Sequence, residues 1–167
     1  MSNKIKTYVL TLSTAFPTGH IRAGQPTYFK EKVTAKEFPA VIEHGSGHST
    51  IINGRKLHTI RANYLLWEAR FKEIQRGEAV LSVRQWSGAP YRSKQVEIAR
   101  LSREDGIGIQ RLTLADLTNP TYINGHRVSL PTLAFNDGLN YGDWHDWFKG
   151  YDLSEPLAII HFTNYRY

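Results

Sequence analysis

The residues best suited to chemistry lie together in Gly54-Arg55-Lys56-Leu57-His58-Thr59-Ile60-Arg61. Cationic side chains, a hydroxyl and an imidazole surround a short apolar zigzag. Strand side chains alternate, so a turn at Gly54-Arg55 that leads into an extended segment puts Thr59 and Arg61 on one face, with Ile60 buried behind them. Such a face can meet phosphate or a base carbonyl. Taken alone, the octapeptide fits a solvated turn and edge strand as well as it fits a site.

A second cluster sits around the turn Ser87-Gly88-Ala89-Pro90, where Arg84, Trp86, Tyr91, Arg92 and Lys94 gather at one hairpin tip. Bases can stack on such rings while the cations meet phosphates. A solvated hairpin whose Trp and Tyr fill the end of the fold is the competing reading. The run His44-Gly45-Ser46-Gly47-His48-Ser49-Thr50 lacks the Gly-Lys-Ser/Thr end of a phosphate loop. Its glycines argue against the helix that would bring the two histidines to one metal, so it reads as a flexible loop and a candidate lid. Gly106-Ile107-Gly108 has neither the third glycine nor the βαβ rhythm of a dinucleotide site.

The elements that must position these groups follow from periodicity and breakers. Lys6 to Ser13 alternates as a strand, and Thr27 can cap a short helix from Tyr28 to Val33. Tyr64 to Arg76 places Trp67, Phe71 and Ile74 on one helical face, with Asn63 as N-cap and Gly77 as stop. Strands are expected at Glu78 to Trp86, Tyr91 to Leu101 and Ile109 to Leu114, a loop over Thr118 to Leu130, and a short helix around Trp144 and Trp147 begun by Asn140 or Asp143. Leu157 to Ile160 reads as an apolar strand that closes a barrel against the N-terminal strand. The whole is one α+β domain over residues 1–167, with an insertion around 34–53.

The run GRKLHTIR resembles the G-x-K-x-x-T-x-R signature of the ASCH domain, a family within the PUA-like superfamily whose members handle RNA or modified nucleosides. The order of three later features agrees: the strand Ala79 to Trp86, Asp137-Gly138-Leu139 ahead of the Trp144 helix, and the closing strand Leu157 to Phe162. This resemblance implies a PUA-like mixed β-barrel with peripheral helices and a nucleic-acid-binding surface over Arg55, Lys56, Arg61, Arg84, Trp86, Tyr91, Arg92 and Lys94. In the branch that hydrolyses N-acetylated cytidine, the catalytic Lys, Thr and acid fall on Lys56, Thr59 and Asp137. A Thr hydroxyl needs a nearby base, and Lys can serve only well below its free pKa of ~10.4. The acid of that hydrolase is Glu, whereas Asp137 is one methylene shorter, and this chain is longer than that minimal enzyme.

Composition bounds the remaining possibilities. A formal charge of +6 favours anionic partners, RNA or a modified nucleotide first. With no cysteine there is neither a disulfide nor a thiolate site, and the reading calls for no metal and no cofactor. The absence of a long apolar run sets a cytoplasmic protein without membrane partners as the expectation. Three classes stay open: a binding module for RNA or a modified nucleotide, an amidohydrolase of N-acylated cytidine, and a protein-interaction domain marked by an exposed apolar patch.

Overall fold

A computed structural model describes residues 3–167. Two three-stranded sheets carry the core. In the first, β1 (Lys6–Thr11) runs parallel to β5 (Ala79–Trp86), and β5 pairs antiparallel with β6 (Gln95–Leu101). In the second, β10 (Leu157–His161) lies between β4 (His58–Arg61) and β7 (Gly108–Leu112), antiparallel to both. Two hairpins stand apart, β2 (Ala40–Glu43) with β3 (Ser49–Ile52), and β8 (Thr121–Ile123) with β9 (His126–Val128).

The expected closed barrel is therefore wrong, although the α+β class holds. The strand expected to close it, β10, pairs with β4 and β7 and not with β1. All of its residues are buried. A strand covered on both faces is a sheet centre, and its continuous apolar run carries that message better than the message of an edge. Among the described residues no ladder joins the two sheets. Across the gap between them the Arg61 guanidinium donates to the Thr11 carbonyl at 2.7 Å.

Helix α1 (Phe29–Thr34) follows Tyr28, and the Thr27 hydroxyl donates to the Ser13 carbonyl instead of capping it. Helix α2 (Tyr64–Gln75) buries Trp67, Phe71 and Ile74 as its period requires; Asn63 caps it and Gly77, at φ +76°, ends it. The insertion is not a structureless loop, since β2 and β3 pair through it. None of its residues from 36 to 53 lines the cavity described below, so the lid expectation fails.

The stretch expected as a loop holds more order. Asn124 and Gly125, at φ 50° and 80°, form the tight turn between β8 and β9, as an Asn-Gly pair is suited to do. Ser129 then caps α3 (Leu130–Asn136), with Pro131 in its first turn where a missing N–H costs nothing. Asn140 caps α4 (Tyr141–Phe148) through the Asp143 amide. Strand β6, which pairs with β5, starts at Gln95 and not at Tyr91, so the aromatic tip between them is a longer loop. Among the described residues no helix is long and apolar enough to cross a membrane.

Candidate functional site

Strand β4 supplies Thr59 and Arg61 to the site. Thr59 and Arg61 share one face and Ile60 joins the core behind them, as alternation requires. Opposite Arg61 in the register stands Ala158, fully buried and too small to crowd the guanidinium. Just before the strand, the Lys56 amide donates to the Lys32 carbonyl of α1 and the Leu57 amide to the Asn136 carbonyl of α3. The strand is thus pinned between two helices before its side chains reach the cavity.

Asp137 arrives from α3 on a defined helix terminus. The Gly138 amide donates to Phe135 and the Leu139 amide to Ala134, with Gly138 at φ +85°, which is the double bond of a Schellman cap. The left-handed backbone of the cap is what calls for glycine after the acidic residue, and a Cβ there would also press on the lysine stem, 3.1 Å from Cβ of Lys56. Gly54 has a similar reason, since a Cβ there would enter the Phe135 ring.

Lys56 is the most deeply buried cation, at 2% exposure, with Asp137 at 3%. Its Nζ donates to Asp137 Oδ1 at 2.7 Å and to the Asp137 carbonyl at 2.5 Å, and lies 4.2 Å from the centre of the Phe29 ring. Burial pushes the Lys56 amine down, against the pull of Asp137, and Arg61 adds to the fall. Burial likewise pushes the Asp137 carboxyl up, against Lys56 and then Arg61. The pair thus shares its proton more evenly than a solvated Lys and Asp do.

Behind Asp137 lies a second polar layer. Asn136 Nδ2 donates to the Tyr167 hydroxyl at 3.1 Å, and that hydroxyl lies 2.6 Å from His58 Nε2. A phenol that accepts from the amide is free to donate to the imidazole, which leaves the His58 proton on Nδ1. That atom has no hydrogen-bond partner and sits 3.9 Å from Asp137 Oδ1. Burial, then His161 and Lys56, hold the His58 pKa well below its ordinary value, so the ring is neutral.

In front of this layer, Lys56 and Asp137 open on a cavity of about 330 Å³. Lys56, Thr59, Arg61 and Asp137 supply its polar wall; Phe29, Trp147, Phe148 and Tyr151 supply the aromatic one. The Thr59 hydroxyl has no hydrogen-bond partner among the described residues. Arg61 Nε is buried and also lacks one. Sites for small ligands occupy roughly 300–1,000 Å³, so this one suits a single planar ring system.

The sequence-derived residues divide by position. Lys56, Thr59, Arg61 and Asp137 meet in the cavity, while Trp86 and Tyr91 line a neighbouring groove of about 620 Å³. Arg55 reaches instead toward the Val33 and Lys36 carbonyls and over the Phe38 ring, which secures the base of the insertion. Arg84 donates to the Ser82 hydroxyl, and Arg92 and Lys94 are exposed on the hairpin tip outside both spaces.

Lys32 was missed because its helix reads as having a wet side there. It is half-buried, donates to the Gly138 carbonyl at 2.6 Å, and has its pKa lowered to about 8, first by burial and next by Lys56. Phe29 and Trp147 carried helical period, which signals packing before it signals a ligand wall. Comparison of the chain with family models, with curated proteins and with solved structures finds no match.

Proposed function

We propose that this chain is a nucleotide-binding module, related to the ASCH proteins it resembles, that seats a base of RNA or of a modified nucleotide in the aromatic cavity. One observation carries this reading: Thr59 and Arg61 from β4, Lys56 from the segment just before it and Asp137 from a helix cap converge on a cavity of about 330 Å³ walled by aromatic rings. A base needs flat apolar faces to lie on and a small number of placed donors and acceptors at its edge. The aromatic wall answers the first need. The Lys56 and Arg61 donors, the Thr59 hydroxyl and the Asp137 carboxylate answer the second.

A second reading rests on the Thr59 hydroxyl, which lines the cavity without a protein partner beside an amine whose pKa burial lowers. In this reading the cavity hydrolyses the acyl group of an N-acylated cytidine. The free amine of Lys56 takes the Thr59 proton while the hydroxyl oxygen adds to the acyl carbonyl. The ammonium returns that proton to the departing amino nitrogen, leaving the acyl group as an ester on Thr59. A water then splits the ester, releasing the carboxylic acid and restoring the hydroxyl.

The test is a time course of the protein with N-acetylcytidine and other acylated nucleosides, read by chromatography, with Lys56→Ala and Thr59→Val alongside. Turnover lost in both variants establishes the hydrolase. No turnover, with nucleoside or RNA binding that weakens in Lys56→Ala, establishes the binding module. Neither turnover nor binding rejects both.

A further inference from the structure

The cavity shares Leu12, Ser13, Pro17 and Arg61 with an adjoining groove of about 620 Å³ that runs out to the connection between β5 and β6. The outer space has its own aromatic surface: Trp86 and Tyr91, with ring centres 5.2 Å apart and planes tilted by 51°. Its floor is fixed where Gln95 donates to the Thr11 hydroxyl at 3.0 Å.

Tyr91 is hard to explain as packing. It is 89% exposed, and its backbone is held at φ 62°, a left-handed conformation that bulky residues rarely adopt. An exposed ring on a strained backbone, whose aromatic neighbour among the described residues is Trp86 alone, is a candidate for a residue held for a ligand. The guanidinium of Arg61 stands where the two spaces meet. One of its nitrogens holds the Thr11 carbonyl while the buried Nε has no partner.

We infer that the ligand is a single strand of at least two nucleotides, with one base in the inner cavity, its phosphodiester at Arg61, and the next base stacked in the outer groove on Trp86 and Tyr91. This rests on the nucleotide reading above and narrows it to a polymer. Three features adjoin: a ring-sized cavity, a guanidinium that lines both spaces, and an exposed aromatic pair in the groove on the other side of their shared wall. A phosphate is the group of a nucleotide that a guanidinium edge matches best. A duplex is disfavoured, because a base reaches the inner cavity only after unpairing and unstacking, at a cost in free energy that a single strand largely avoids.

The test is calorimetric titration of the full chain with the four ribonucleosides and N-acetylcytidine, each alone and joined through a phosphodiester to uridine on either side. A mixed-sequence octanucleotide is added in single-stranded and duplex form. The expected result is that at least one dinucleotide binds about tenfold or more tightly than its nucleoside, the gain typical of one base–aromatic stack. Tyr91→Ala and Trp86→Leu, both outside the core, bring that ratio toward one, and the single-stranded octamer outcompetes the duplex. A ratio near one, a ratio indifferent to both substitutions, or a duplex bound as tightly as the single strand overturns the inference while the nucleoside reading stands. Failure of every nucleoside and dinucleotide to bind overturns that reading itself, and this inference with it.

Discussion

Lys56 and Asp137 form a buried ion pair, and such a pair is costly to break from one side. Lys56→Met leaves the Asp137 carboxylate without its ammonium partner and should lower the unfolding free energy by about 3–5 kcal/mol. Lys56→Met combined with Asp137→Leu replaces both charges with apolar groups and should recover most of that loss while ligand binding stays absent. Urea unfolding of the wild type and both variants checks this; a double variant as unstable as the single one would show that packing, not charge, dominates there. Lys32 offers a pH test with a definite sign. Its folded value of about 8 lies below the ordinary 10.5, so the unfolded chain holds that proton more tightly. Stability relative to Lys32→Met should therefore be flat below about pH 8 and rise between about 8 and 10.5, by on the order of 1–3 kcal/mol after partial solvent screening. Unfolding curves of the two proteins at a series of pH values measure it, and parallel curves throughout would place Lys32 in water.

At the scale of elements, the site depends on how α3 ends. Gly138→Ala forces a side chain into a left-handed position and presses on the Lys56 stem. A cost of about 1–2 kcal/mol is expected from the backbone alone. Affinity should fall as well, because Lys56 must shift; thermal unfolding and calorimetry on one sample separate the two effects. Much of this level was legible in the sequence. Asn63 and Asn140 announced their helices, alternation placed Thr59 beside Arg61, and the spacing of Trp67, Phe71 and Ile74 defined a core face. Helix α3 was not read, although Ser129 followed by Leu130-Pro131 is a helix start, because the turn residues just before it drew the whole stretch into a loop. The Schellman cap explains why the acidic residue is followed by glycine, which spacing alone could not say.

At the scale of the molecule, what stayed hidden was partnership. Period identifies a strand and its buried face but not the strand beside it, since ladder partners are distant in sequence. The apolar run of β10 fits a closing strand as well as a central one until its neighbours are known. The basic balance of +6 is a property of the whole chain, and the exposed Arg92 and Lys94 follow the groove residue Tyr91 on the hairpin tip. Substituting both with Gln should lower the salt dependence of binding to a single-stranded octamer by about 0.7 in the log–log slope for each phosphate that is no longer neutralised. Titration at several salt concentrations gives that slope, and no change would assign both cations to bulk solvent.

Arg61 joins the two sheets through the Thr11 carbonyl and also stands at the meeting point of cavity and groove. Holding the two sheets together and facing both spaces thus fall to one side chain, so a substitution at position 61 is expected to disturb the fold and the site together. Tyr91 carries no such double duty. Substitutions at the hairpin tip are therefore expected to reshape the groove while leaving the joint between the sheets intact, so the rim can be altered without rebuilding the centre.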